Sequence, residues 1–145
     1  MKLPEYVTVE EVRRVCKELG FRDWSALSEP KVLSEEADAI LAAMNVEGMD
    51  IDLEDFRRAL EVELEHGTMF EDANVTNNHP VLTGKIVLAH LKESLDYYKR
   101  LEVAEIEGDL LKAVVSKDSR KVEALYRELV NAKLILSREE SDTLA

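Results

Sequence analysis

Residues 52–66 read Asp-Leu-Glu-Asp-Phe-Arg-Arg-Ala-Leu-Glu-Val-Glu-Leu-Glu-His, and residues 80–93 read Pro-Val-Leu-Thr-Gly-Lys-Ile-Val-Leu-Ala-His-Leu-Lys-Glu. On a helical wheel of about 100° per residue, Leu53, Phe56, Ala59, Leu60 and Leu64 of the first stretch share one arc. Glu54, Arg57, Arg58, Glu61 and Glu65 lie opposite. In the second stretch a narrow polar sector holds Lys85 and Lys92, and the rest is largely apolar. Both stretches are amphipathic helices. The same period continues along the chain with no alternating apolar run. The predicted fold is therefore all-α, a single-domain bundle of five or six helices.

Chemistry enters on these two faces. Glu63 and His66 are three residues apart on one helix, as are His90 and Glu93 on the other, so each pair shares a face. Glu63 lands inside the apolar arc, between Phe56 and Ala59, and His66 at its edge. His90 falls near the middle of the apolar sector of its helix, with Glu93 on the same side and Tyr97 one turn on. A glutamate in an apolar stripe needs a partner, because an unpaired buried carboxylate is costly. If the helices lie antiparallel, their reversed order brings the two histidines to one level and the two glutamates to another. Helix bundles build carboxylate metal sites from such Glu-x-x-His pairs. Glu63, His66, His90 and Glu93, with Tyr97 behind them, are thus a candidate ligand set for zinc, manganese or iron. A homodimer would join two such hairpins into a two-metal site.

A structural reading stays open beside it. His66 would interact with its own helix C-terminus, Glu63 would pair with Lys85, Lys99 or Tyr97, and His90 would be a satisfied core histidine. The chain is then an acidic helical adaptor working by protein contact. That reading expects an exposed apolar patch, with residues 120–137 as its candidate helix. No catalytic residue is assigned, since no glycine-rich loop follows a strand and no nucleophile stands beside a histidine.

The 145 residues suit one domain with a real core, and an apolar content of 46% is that of a folded chain. Five Gly and three Pro among much Ala, Leu, Glu and Lys favour helix. Nineteen Lys and Arg against 31 Asp and Glu leave a net charge of −12, which argues against nucleic acid and anionic membrane surfaces as partners. It is compatible with cationic partners or metal ions. No signal peptide or long apolar run is apparent, and the lone Cys16 cannot form an internal disulfide, which fits a reducing cytoplasm. Cys16 reads as core filling.

Working outward, residues 1–7 read as an irregular lead-in and residues 1–48 as an N-terminal helical part. Thr8 and Glu11 form a capping box for a helix over residues 9–19, which Gly20 ends. Residues 20–33 are turn-like, anchored by Phe21, Trp24 and Leu27, and Ser34 opens a helix to about residue 45. Residues 49–56 resemble the closing half of a calcium-binding helix–loop–helix, but Met44, Val46 and Gly48 stand where acidic ligands belong. Asp52 is better read as an N-cap, reinforced by Asp55.

The helix of Glu63 and His66 is expected to end at Gly67. Residues 67–79, rich in Asn, then make a long polar connection, either a lid or a simple crossover. His79 reads as exposed, ahead of Pro80 at the first position of a helix. Beyond it, Tyr97, Leu101, Ala104, Gly108, Leu111 and Val115 keep a helical spacing up to a break at residues 116–119. A last helix covers residues 120–137, completing a C-terminal part over residues 102–137, and residues 138–145 read as a frayed tail.

Several motifs in residues 49–101, the core hairpin, carry a resemblance: Phe56-Arg-Arg-Ala-Leu-Glu-Val-Glu-Leu-Glu-His-Gly67, Asn74-Val-Thr-Asn77, Thr83-Gly-Lys-Ile86, Ala89-His-Leu-Lys-Glu93 and Asp96-Tyr-Tyr98. Together they resemble a small helical family of prokaryotes and their viruses catalogued as a domain of unknown function. The resemblance brings no activity with it. It implies that Glu63, His66, His90 and Glu93 occupy motif positions. Where members often carry a proline this chain has Leu95, which leaves a helix break there open.

Overall fold

Six α-helices make up most of the computed structural model, which describes residues 6–145. They are α1 (Val9–Leu19), α2 (Ser34–Ala42), α3 (Leu53–Met69), α4 (Pro80–Glu93), α5 (Tyr97–Val115) and α6 (Ser119–Leu144). Short 3₁₀ turns stand at Trp24–Ala26 and Glu71–Ala73, and no strand is present among the described residues. The expectation of an all-α fold of five or six helices is met by six. Residues 1–5 of the expected lead-in lie outside the described residues. The helices gather into two compact units, residues 1–92 and 93–145, each described by itself.

In the first unit, local chemistry starts α1 and α3 and stops α1 where the sequence says. Thr8 Oγ1 accepts from the Glu11 N–H at 3.2 Å, and Gly20 closes α1 at a φ of 72° that suits glycine. Asp52 accepts from the Glu54 and Asp55 N–H groups at 2.9 and 3.0 Å. Helix α1 packs on the Trp24 turn, and Val12, Cys16 and Trp24 are buried. Helix α2 packs on α3, with Ala37 and Ile40 buried from one and Phe56, Leu60 and Leu64 from the other. Helix α4 meets α2 at Gly84, where an added Cβ would overlap Ile40 Cγ2.

Two ion pairs fasten the 22–33 segment to this core. The buried Glu36 carboxylate accepts from Arg22 Nη2 at 2.6 Å and from the Leu33 N–H at 3.0 Å. Burial works to raise the Glu36 carboxyl, but the Arg22 guanidinium and the Leu33 N–H outweigh it and hold it below its ordinary value. Glu61 pairs with Arg57 and accepts from the Val32 N–H at 3.0 Å, while Arg57 donates to the Val32 carbonyl at 3.2 Å.

Four expectations for this unit are corrected. Helix α2 stops at Ala42, short of residue 45. Helix α3 runs through Gly67 to Met69, so that glycine lies inside the helix. His79 is buried, not exposed: its Nδ1 accepts from the Leu82 N–H at 3.4 Å and its carbonyl accepts from Thr83 Oγ1 at 3.0 Å. Burial pushes its imidazole below its ordinary value, against a raising influence from Glu11. His90 is half-buried at the edge of the packed face of α4. That face is made by Pro80, Gly84, Val87, Leu88 and Leu91, while Ile86 and Ala89 are exposed.

In the second unit, α5 and α6 pack together, with Leu129 and Ala132 of α6 and Ala113 of α5 buried. Lys99 and Arg100 near the start of α5 pair with Glu139 and Glu140, and Glu107 further along it pairs with the earlier Lys133, so the hairpin is antiparallel. A break at residues 94–96 separates α4 from α5. Helix α6 continues to Leu144, through the residues expected as a frayed tail.

Candidate functional site

Glu63 and His66 stand on successive turns of α3, and His90 on α4. The Glu63 side chain is 10% exposed, as its place in the apolar arc requires. One of its oxygens, Oε2, is 3.7 Å from His66 Nδ1, and the other, Oε1, is 3.8 Å from His90 Nε2. These separations exceed hydrogen-bond length and suit a charged pair if an imidazole is protonated. The carboxylate thus lies between two imidazoles, one 70% exposed and one 32%. Three of the four residues singled out in the sequence are brought together. Glu93 and Tyr97 belong to the second unit: Glu93 is exposed, and Tyr97 is half-buried with its ring edge-on to Tyr98 at 5.1 Å. Among the described residues, no three or more His, Cys, Asp or Glu side chains stand ready as a metal-ligand group.

Glu63 and His66 line one side of a cleft of about 340 Å³. Its other walls are Phe70, Val75 and Ile86, which are exposed and apolar, and Asn74, Thr76, Asn78 and Thr83, which are polar. The polar wall has a structural origin. Asn77 and Asn78 take left-handed φ values of 48° and 61°, which asparagine tolerates better than most residues. That turn sends Asn77 Nδ2 to the Val7 carbonyl at 2.6 Å and Asn78 Nδ2 to the Trp24 carbonyl at 3.3 Å. Asn74 Nδ2 donates to Asn78 Oδ1 at 3.1 Å and to the Gly67 carbonyl at 3.3 Å. The connection after α3 is therefore a wall pinned to α3 at Gly67, to the Val7 carbonyl and to the Trp24 turn. Sequence reasoning missed this wall. The Asn74-Val-Thr-Asn77 motif was its visible signal, but the role depends on backbone angles that the motif does not state.

A family model described as a protein of unknown function (DUF5661) matches residues 12–107. The match takes in α1 through α4 and part of α5, well beyond residues 49–101, on which the sequence resemblance rested. No curated protein and no solved structure matches the chain.

Proposed function

The chain belongs to the DUF5661 family of proteins of unknown function, and we propose that a divalent cation binds beside its cleft with Glu63 and His66 of the cleft wall and the neighbouring His90 as ligands. Two imidazoles and one carboxylate are a donor set used for zinc in hydrolases and for non-haem iron in oxygenases, with positions left open for water or a substrate. Manganese is the third candidate. The observation that carries the reading is the Glu63 carboxylate set 3.7 and 3.8 Å from two imidazole nitrogens. Zinc bonds of about 2.0–2.2 Å put tetrahedral ligand atoms roughly 3.3–3.6 Å apart, and each imidazole nitrogen stands within a few tenths of an ångström of that separation from one of the two carboxylate oxygens. His66 is exposed enough to turn inward. The asparagines and Thr83 that share the cleft are engaged in holding its wall.

The test is calorimetric titration of metal-free protein with zinc and with manganese. One ion per chain is expected. Glu63→Gln should bind at least about tenfold more weakly, since even changes outside the ligand shell weaken such sites 10–100-fold. Absence of binding, or equal affinity in the variant, overturns the reading. A second reading, the acidic helical adaptor, draws on Tyr126, Val130 and Leu134, an exposed apolar row within the helix the sequence pointed to.

A further inference from the structure

Helix α5 carries two apolar rows, each spaced three and four residues apart. Val103, Ile106, Leu110 and Ala113 make the first, and all four are buried or half-buried in the α5–α6 hairpin. Leu101, Ala104, Gly108, Leu111 and Val115 make the second. In this second row Ala104 and Gly108 are exposed, Leu111 is 65% exposed and Val115 75%. Heptad spacing of this kind is the seam of a helix pair. Gly108 adds an independent sign. A glycine weakens a helix interior relative to alanine, so one there usually serves a close approach. A Cβ built on Gly108 would have nothing within 4 Å, so no contact within this chain requires the glycine.

We infer that this face of α5 docks on the same face of α5 in a second copy of the chain, antiparallel about a two-fold axis. Such an interface is isologous: each contact occurs twice. The antiparallel register that sets Leu111 over Gly108 of the other copy also sets Val115 over Ala104. Large side chains then fill the space left by small ones, as close packing requires. In the same register Glu105 of each copy falls beside Lys112 of the other, so charges complement across the seam twice over. Lys112 at present pairs with Asp109 one turn away, a surface contact that it can exchange. A parallel pair would set Gly108 on Gly108 and Ala104 on Ala104 and leave voids. The net charge of −12 opposes association, so the dimer should tighten as salt screens the repulsion.

Sedimentation of the full chain over a concentration series tests this at moderate salt. A monomer–dimer equilibrium is expected. Gly108→Leu should abolish it by blocking the seat of Leu111, while thermal stability and helix content hold or rise. Leu111→Glu, at an exposed position, should do the same. Lys112→Glu should weaken the dimer, and the swap Glu105→Lys with Lys112→Glu should restore it. A chain that stays monomeric at all concentrations overturns the proposal, as does a dimer indifferent to Gly108→Leu and Leu111→Glu. A charge swap that weakens the dimer further than the single change overturns the antiparallel geometry.

Discussion

At Gly67 the absence of one methyl group lets the cleft wall form. A Cβ there would overlap Asn78 Oδ1 and come within 2.8 Å of Asn74 Nδ2, the two side chains that clasp each other over the helix. Gly67→Ala favours the helix by about 1 kcal/mol, but it displaces a buried amide from its partners, which costs about 1–3 kcal/mol. The net expectation is a lower melting temperature and faster amide exchange over residues 70–79; an unchanged or raised melting temperature would contradict it. Glu36 works by charge. Its folded carboxyl sits below the ordinary value of 4.5, so the stability it contributes is present above that value and is lost as pH falls through the lower folded one. Glu36→Gln should destabilise at pH 7 by about 1–3 kcal/mol, the worth of charge-assisted bonds to a buried carboxylate. The gap from wild type should narrow as acid protonates the native residue. Parallel pH series of chemical melts check this, and a gap constant down to pH 2 would contradict it.

Helix starts were legible because they are written in adjacent residues: Thr8 with Glu11, Asp52 with Asp55, Pro80. Faces and ends were less so, for reasons specific to each element. On α4 the two lysines suggested a narrow polar sector, but Ile86 and Ala89 also face outward, and this moves His90 from the centre of the packed face to its edge. The glycine at residue 67 reads as a helix stop, yet it serves a close approach by side chains that arrive from residues 74 and 78. Helix α6 outruns its apolar row, and in its later turns Glu139 and Glu140 make ion pairs to α5. Of the candidate cluster, the nearness of Glu63 to His66 follows from their spacing on one helix, while His90 comes near Glu63 through the placement of α4. The cleft wall did not, since it rests on two left-handed asparagines. The approach of α4 to α2 gives the prediction at this scale. Gly84→Ala would drive a methyl group into the fully buried Ile40. The cost of overpacking is about 1–3 kcal/mol, against about 1 kcal/mol gained in helix propensity. Equilibrium urea unfolding should show a lower midpoint with an unchanged slope.

Over the whole molecule the two units answer different questions, and metal linkage separates them. No described helix is long and apolar enough to cross a membrane. All three proposed ligands lie within residues 1–92. If the folded form binds the ion and the unfolded chain binds it poorly, stability rises with free metal by mass action, by about 2.7 kcal/mol at a hundredfold excess over the dissociation constant. The rise should appear as slower amide exchange in α3 and α4, and the α5–α6 hairpin should respond less. Protons compete for the imidazoles, so the gain should shrink as pH falls below neutrality. His90→Ala separates the two readings of the cluster. If the histidine serves the ion, the variant loses the metal response and its metal-free form melts close to wild type. If the cluster is a structural network, the variant leaves a near-buried carboxylate short of a partner and is about 1–3 kcal/mol less stable with no metal present. Thermal melts of both proteins, with chelator and with zinc or manganese, distinguish these outcomes. Equal wild-type melting temperatures under all these conditions would leave protein contact, through the exposed rows of α5 and α6, as the activity that the fold supports.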